Sequence, residues 1–134
     1  MNFAVLAFLL SLAGPLFLIP VENIFPYPWL VEELFKLIVV WLILKSKPGR
    51  NYLLLAIFAG LLFAFSETVF YLVNIFALGN LGLVPKRLVL TSLLHSGTIL
   101  LMAVFGKKGS WRWIIGFLGA VLIHGIYNLL VSCL

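Results

Sequence analysis

The sequence predicts an all-α membrane protein: a single integral membrane domain over residues 1–134, built as a polytopic bundle of about five transmembrane helices. Three observations predict it. Hydrophobic residues make up 64% of the 134 residues and charged residues 10%, with a mean hydropathy of +1.23, against roughly 45–50% apolar and about 25% charged in a soluble domain. A sphere of this size cannot hide so much apolar surface, so lipid is the solvent for most of the chain. The apolar residues form five runs, and most of the basic residues cluster between them. The net charge of +5 therefore reads as membrane-flanking charge, and nucleic acid is not an expected partner. Cys133 is the single cysteine, so no intrachain disulfide framework exists.

Each run can cross a hydrocarbon core of about 30 Å. The first, 3–19, lacks a basic leader and a small-residue cleavage site, and is expected to be a retained helix kinked at Pro15. The second, 27–44, begins with Tyr27 and Trp29 and contains Glu32, Glu33 and Lys36. The third, 52–78, is long enough to tilt or protrude. The fourth and fifth are 88–105 and 111–134. Lys45, Lys47, Arg50, Lys107, Lys108 and Arg112 fall in the second and fourth loops, while Lys86 and Arg87 fall in a loop opposite. By the positive-inside rule the N-terminus is cytoplasmic and the C-terminus faces out. Trp41, Tyr52, Trp111 and Trp113 mark the inner boundary. The expected location is a prokaryotic cytoplasmic membrane.

Ionisable residues inside spans carry the functional information, because lipid offers them no hydrogen bonds. A central Lys or acidic residue costs roughly 2.5 to 3.5 kcal/mol on the insertion scale, whereas each Leu, Ile, Val or Phe contributes only about 0.3 to 0.6 in favour. Helix two is marginal alone, so its charges must face protein or enclosed water. A rise of about 1.5 Å per residue puts Glu32 about 8 Å from the outer helix end, Lys36 about 14, Glu67 about 16, His95 about 10, Asn128 about 9 and His124 about 15. These groups share one layer, which implies a polar chamber opening outward. Glu32 and Lys36 stand at i,i+4 and are expected to pair, with Glu33 turned about 100° away. Gly60, Ala64, Glu67 and Tyr71 share a face, on which Tyr71 can donate to Glu67. Arg87, Thr91 and His95 form a ridge with Thr98 a turn deeper, as do Gly116, Ala120, His124 and Asn128.

The segments Glu32-Glu33-Leu34-Phe35-Lys36, Phe63-Ala64-Phe65-Ser66-Glu67 with Tyr71, Arg87 through His95-Ser96-Gly97-Thr98, and His124-Gly125-Ile126-Tyr127-Asn128, in that order, resemble the PrsW family. That family belongs with the CAAX-protease and bacteriocin-processing proteins, glutamate-dependent intramembrane peptidases. The resemblance spans about residues 30 to 130 and departs from the family at Thr68, where Asn is usual. It implies that Glu32 is the general base, that His95 helps to bind and polarise the water, and that His124 and Asn128 stabilise the oxyanion. Glu33 and Lys36 would orient the base, and Glu67, Tyr71 and Arg87 would support the cluster. The expected function is an intramembrane endopeptidase acting on a membrane-anchored peptide or protein near the outer leaflet.

No cofactor is expected. Zinc is the alternative, because two His and several Glu are suitable ligands, although the H-E-x-x-H signature is absent. The superfamily also resembles the multipass scaffold subunit of gamma-secretase. A non-catalytic subunit of a larger membrane complex is thus the competing function. A proton or cation relay is disfavoured by the apolar inner half of the bundle.

The topology predicts that cysteines introduced at positions 47 and 108 react only after permeabilisation, while those at 26 and 86 react in intact cells. Labelling of 47 and 108 from outside would reverse the orientation.

Overall fold

The computed structural model describes residues 2–47, 49, 51–77, 79–109 and 111–132, apart from the side chains of Glu22, Val73, Val131 and Ser132. The expectations for Arg50, Leu78 and Cys133 lie outside the described residues. Five helices follow one another: α1 (Phe3–Glu22), α2 (Pro28–Lys45), α3 (Tyr52–Ala77), α4 (Leu83–Lys107) and α5 (Arg112–Ser132). Asn2 caps α1 by accepting from the Ala4 amide at 3.1 Å. Pro28 supplies the preset φ of a first helical residue at the start of α2. α1 stays helical through Pro15 and Pro20. α4 begins at Leu83 instead of residue 88, since Pro85 in the first turn has no amide that the helix needs. Arg87 therefore stands on a helix rather than in a loop.

Four helices are long and apolar enough to cross a membrane: Phe3–Val21, Tyr52–Ala77, Leu83–Lys107 and Arg112–Leu130. α2 is the exception, because its 18 residues include Glu32, Glu33 and Lys36. Packing shows how it is accommodated. α2 touches each of the other four helices, whereas α1 and α5 make no contact among the described residues. The charged helix is thus the axis, and the apolar helices present Leu, Ile and Phe outward. α3 and α4 approach closely at Gly60, where an added Cβ would lie 2.4 Å from Ser96 Cα. Gly116 does the same for α5, its Cβ position lying 2.9 Å from Phe105 Cβ.

The apolar core gathers at one end of the bundle, from Val39, Val40, Leu42, Ile43, Ala56, Ala59, Ile99, Met102 and Ala103. Lys45 closes that end over the Trp41 ring, 4.3 Å from its centroid, and Lys107 over Tyr52 at 4.7 Å. Buried polar side chains occupy the other half.

Gly60→Ala should destabilise the protein by about 1–3 kcal/mol, the usual cost of overpacking, despite Ala's better helix propensity. Gly97, with nothing within 4 Å of its Cβ position, supplies the control. Thermal unfolding in detergent should separate Gly60→Ala from Gly97→Ala, and equal melting temperatures would contradict the close α3/α4 contact.

Candidate functional site

The polar half is organised around Lys36, whose side chain is 0% exposed. Its ammonium has three protons and three acceptors: Glu33 Oε1 at 2.6 Å, His95 Nδ1 at 2.7 Å and Thr98 Oγ1 at 3.4 Å. Beneath it lies the Phe63 ring, 4.9 Å to the centroid. An ammonium can only donate, so His95 Nδ1 accepts and its proton sits on Nε2, where it is given to Glu67 Oε2. The other Glu67 oxygen accepts from Arg87 Nη2 at 2.7 Å. Tyr71 supports that guanidinium, its ring centroid 3.6 Å from Arg87 Cζ. On the far side, Glu33 Oε1 also accepts from His124 Nδ1 at 2.7 Å. One hydrogen-bonded chain therefore joins α2, α3, α4 and α5.

This network forms the back wall of two adjoining cavities. One, of about 350 Å³, is lined by Glu32, Glu67, Arg87, Thr91, His95, His124, Tyr127 and Asn128, among others. The other, of about 250 Å³, is lined by Pro15, Phe63, Phe70 and Asn74, and shares Asn23, Glu32, Glu67 and Tyr71 with the first. His124 Nε2 lies 3.9 Å from Glu32 Oε2, too far for a direct hydrogen bond. Because Nδ1 donates to Glu33, neutral His124 presents its Nε2 lone pair toward Glu32.

All nine residues singled out from the sequence thus surround one centre. One pairing differs from expectation. Lys36 pairs with Glu33, not Glu32, because i,i+3 neighbours also share a helix face and its three protons are all spent. Glu33, expected to turn away, is the fully buried carboxylate. Glu67, read as an acceptor for Tyr71, engages Arg87 and His95, and the Tyr71 ring also stacks on Arg87. Asn23 and Tyr127 also line the cavity, although Asn23 carries no signal in the sequence and Tyr127 no role beyond its place in the 124–128 segment. Asn23 sits just beyond α1 and reads as a loop residue, and Tyr127 looks like an interfacial aromatic. Its place next to Asn128 on a site helix was the available signal.

A family profile described as PrsW family intramembrane metalloprotease matches residues 24–134. No curated protein and no solved structure matches the chain. The description raises the question of a metal, and Glu32, His95 and His124 each bring one ligand atom within 4.8 Å of the others. Glu32 and His124 Nε2 suit a metal ion, with Glu33 orienting the imidazole from behind as carboxylates do in zinc sites. His95 does not suit one in this arrangement. Its one lone pair is taken by the Lys36 ammonium, and its other nitrogen carries the proton given to Glu67. The side chains as arranged do not complete a metal site.

Removing one partner of a buried ion pair leaves an uncompensated charge, at a cost of about 3–5 kcal/mol. Lys36→Met should therefore lower stability by about that amount, and adding Glu33→Leu should recover much of the loss. Unfolding curves of the single and double variants test this. A double variant as unstable as the sum of the two single substitutions would contradict the pairing.

Proposed function

The chain belongs to the PrsW family of intramembrane proteases, and from that premise we propose that it is an endopeptidase in which Glu32 activates water against a peptide bond of a membrane-anchored substrate. The observation that carries this reading is the pairing of Glu32 Oε2 and His124 Nε2 across 3.9 Å on one cavity wall. A water donating one proton to each would be held with its lone pair free for a carbonyl carbon. Glu32 accepts the water proton as the C–O bond forms and returns it to the departing amine as the C–N bond breaks, the usual double duty of a general base.

The neighbouring residues take supporting roles. Asn128, on the same cavity and one helical turn from His124, supplies amide N–H donors for the oxyanion. Both His95 nitrogens are engaged, so His95 positions rather than touches the water, tying Lys36 to Glu67. Glu33 fixes the orientation of His124. Under the topology inferred from the basic loops, the cavities lie toward the outer leaflet, so the scissile bond lies there too. The proximity of Glu32, His95 and His124 motivates a second reading, metal-assisted hydrolysis, in which these residues would hold an ion that supplies Lewis acidity. That reading requires Lys36 to withdraw from His95.

Glu32→Gln keeps the size of the side chain but cannot accept a proton. It should reduce turnover by about 10²–10⁴, the range for general acid–base groups, with melting temperature nearly unchanged. Cleavage of a library of membrane peptides by the purified protein, with and without a chelator, provides the readout. Cleavage unaffected by chelation supports glutamate-activated water, and cleavage abolished by chelation and restored by zinc supports the metal. If the unmodified protein cuts nothing while Glu32→Gln releases a partner subunit, the chain is a scaffold.

A further inference from the structure

At the end of the bundle opposite the site, charge and shape are arranged differently. Lys45, Lys47, Lys107, Lys108 and Arg112 gather there. The four acidic residues of the chain, Glu22, Glu32, Glu33 and Glu67, all belong to the other half. Among the described residues no carboxylate lies at this end. Between the ends of α2, α4 and α5 lies a cavity of about 500 Å³ lined by Leu44, Lys47, Gly49, Gly106, Lys107 and Trp113. One of its two cations, Lys107, is held in place by backbone and ring. Lys107 donates to the Gly49 carbonyl at 3.0 Å and lies over Tyr52. Lys47, just after α2, has φ +52°, a left-handed conformation that glycine usually supplies.

A second cavity, of about 310 Å³, continues from it. Leu37, Trp41, Trp113, Ile114 and Phe117 line this groove between α2 and α5, and Trp113 belongs to both. Leu37 and Phe117 lie one to two helical turns deeper than Leu44 and Trp113, so the groove runs from the basic end toward the membrane centre. Its wall is apolar along that course.

We propose that this composite cavity binds one anionic phospholipid, with the phosphate between Lys47 and Lys107 and an acyl chain in the α2/α5 groove past Trp113. A charged head compartment opening into an apolar, membrane-directed groove matches an amphiphile. The uncompensated cations select an anionic headgroup, and the groove selects a chain-bearing lipid over free phosphate. The site is separate from the polar cavities and does not depend on the peptidase reading.

The test uses the purified full-length chain in neutral detergent, titrated with phosphatidylglycerol or with phosphatidylcholine of the same acyl composition, and reads bound lipid by native mass spectrometry. Phosphatidylglycerol should be retained and phosphatidylcholine should not. A lysine near an anionic lipid surface changes affinity about fivefold, so Lys47→Gln and Lys107→Gln together should weaken retention by about an order of magnitude or more, and the corresponding Arg variants should restore it. Trp113→Ala should weaken binding without changing headgroup preference. Lys47→Gln alone keeps the Lys107 contacts with Gly49 and Tyr52, so its loss of retention cannot be ascribed to misfolding when melting without lipid is unchanged. Equal binding of the two lipids, undiminished binding by the double variant, or competition by glycerol phosphate as strong as by the whole lipid would overturn the proposal. So would a second copy of the chain in place of lipid.

Discussion

A lysine ammonium buried away from water in a membrane protein is the constraint on which the rest of the structure depends. Lys36 sits in the half of the bundle where hydrocarbon would surround it if α2 faced lipid, and an ammonium there has no solvent to hydrate it. Protein must therefore supply a carboxylate and two further acceptors. Glu33 comes from the same helix, and His95 and Thr98 come from α4. Satisfying one cation thus fixes how α2 faces α4. The remaining valences of Glu33 and His95 then recruit α5 through His124 and α3 through Glu67.

That requirement explains the architecture. The face of α2 that carries this network cannot meet lipid, so it turns inward and the helix touches each of the other four, while the opposite stripe of Leu34, Ile38 and Trp41 stays half exposed. Small residues let the helices close in: Gly60 against Ser96, and Gly116 against Phe105 and Met102. Two adjacent glutamates then take different duties. Glu33 is locked between Lys36 and His124, while Glu32, turned to the cavities, faces the free edge of His124. The buried carboxylate holds the histidine, and the cavity-facing one lines the open space.

Much of this was legible in the sequence. Five apolar runs bounded by basic clusters marked the helices, and intramembrane charges at one depth marked the site, because both follow from the cost of taking polar groups out of water. Pairings within the site were harder. Glu32 and Glu33 stand four and three residues before Lys36, both permitted by helical spacing, and only the position of α4 selects between them. Tyr71 and Arg87 similarly depend on how α3 meets α4. The start of α4 is not legible from charge alone, because Lys86 and Arg87 read as a flanking loop whereas Pro85 in a first turn leaves the helix intact. Tyr127 and Asn23 carry no charge, so the cost of burying charge in lipid does not single them out.

The most direct measurement is solid-state NMR of the protein in lipid bilayers, with nitrogen-labelled lysine, carbon-labelled glutamate and labelled histidine, reading which groups contact the Lys36 ammonium. The structure predicts short contacts from Lys36 Nζ to the Glu33 carboxylate and to His95 Nδ1, unaffected by Glu32→Gln. A Lys36 contact with Glu32 that disappears in that variant, or an ammonium in fast exchange with water and touching neither group, would contradict the buried lysine as the organising centre.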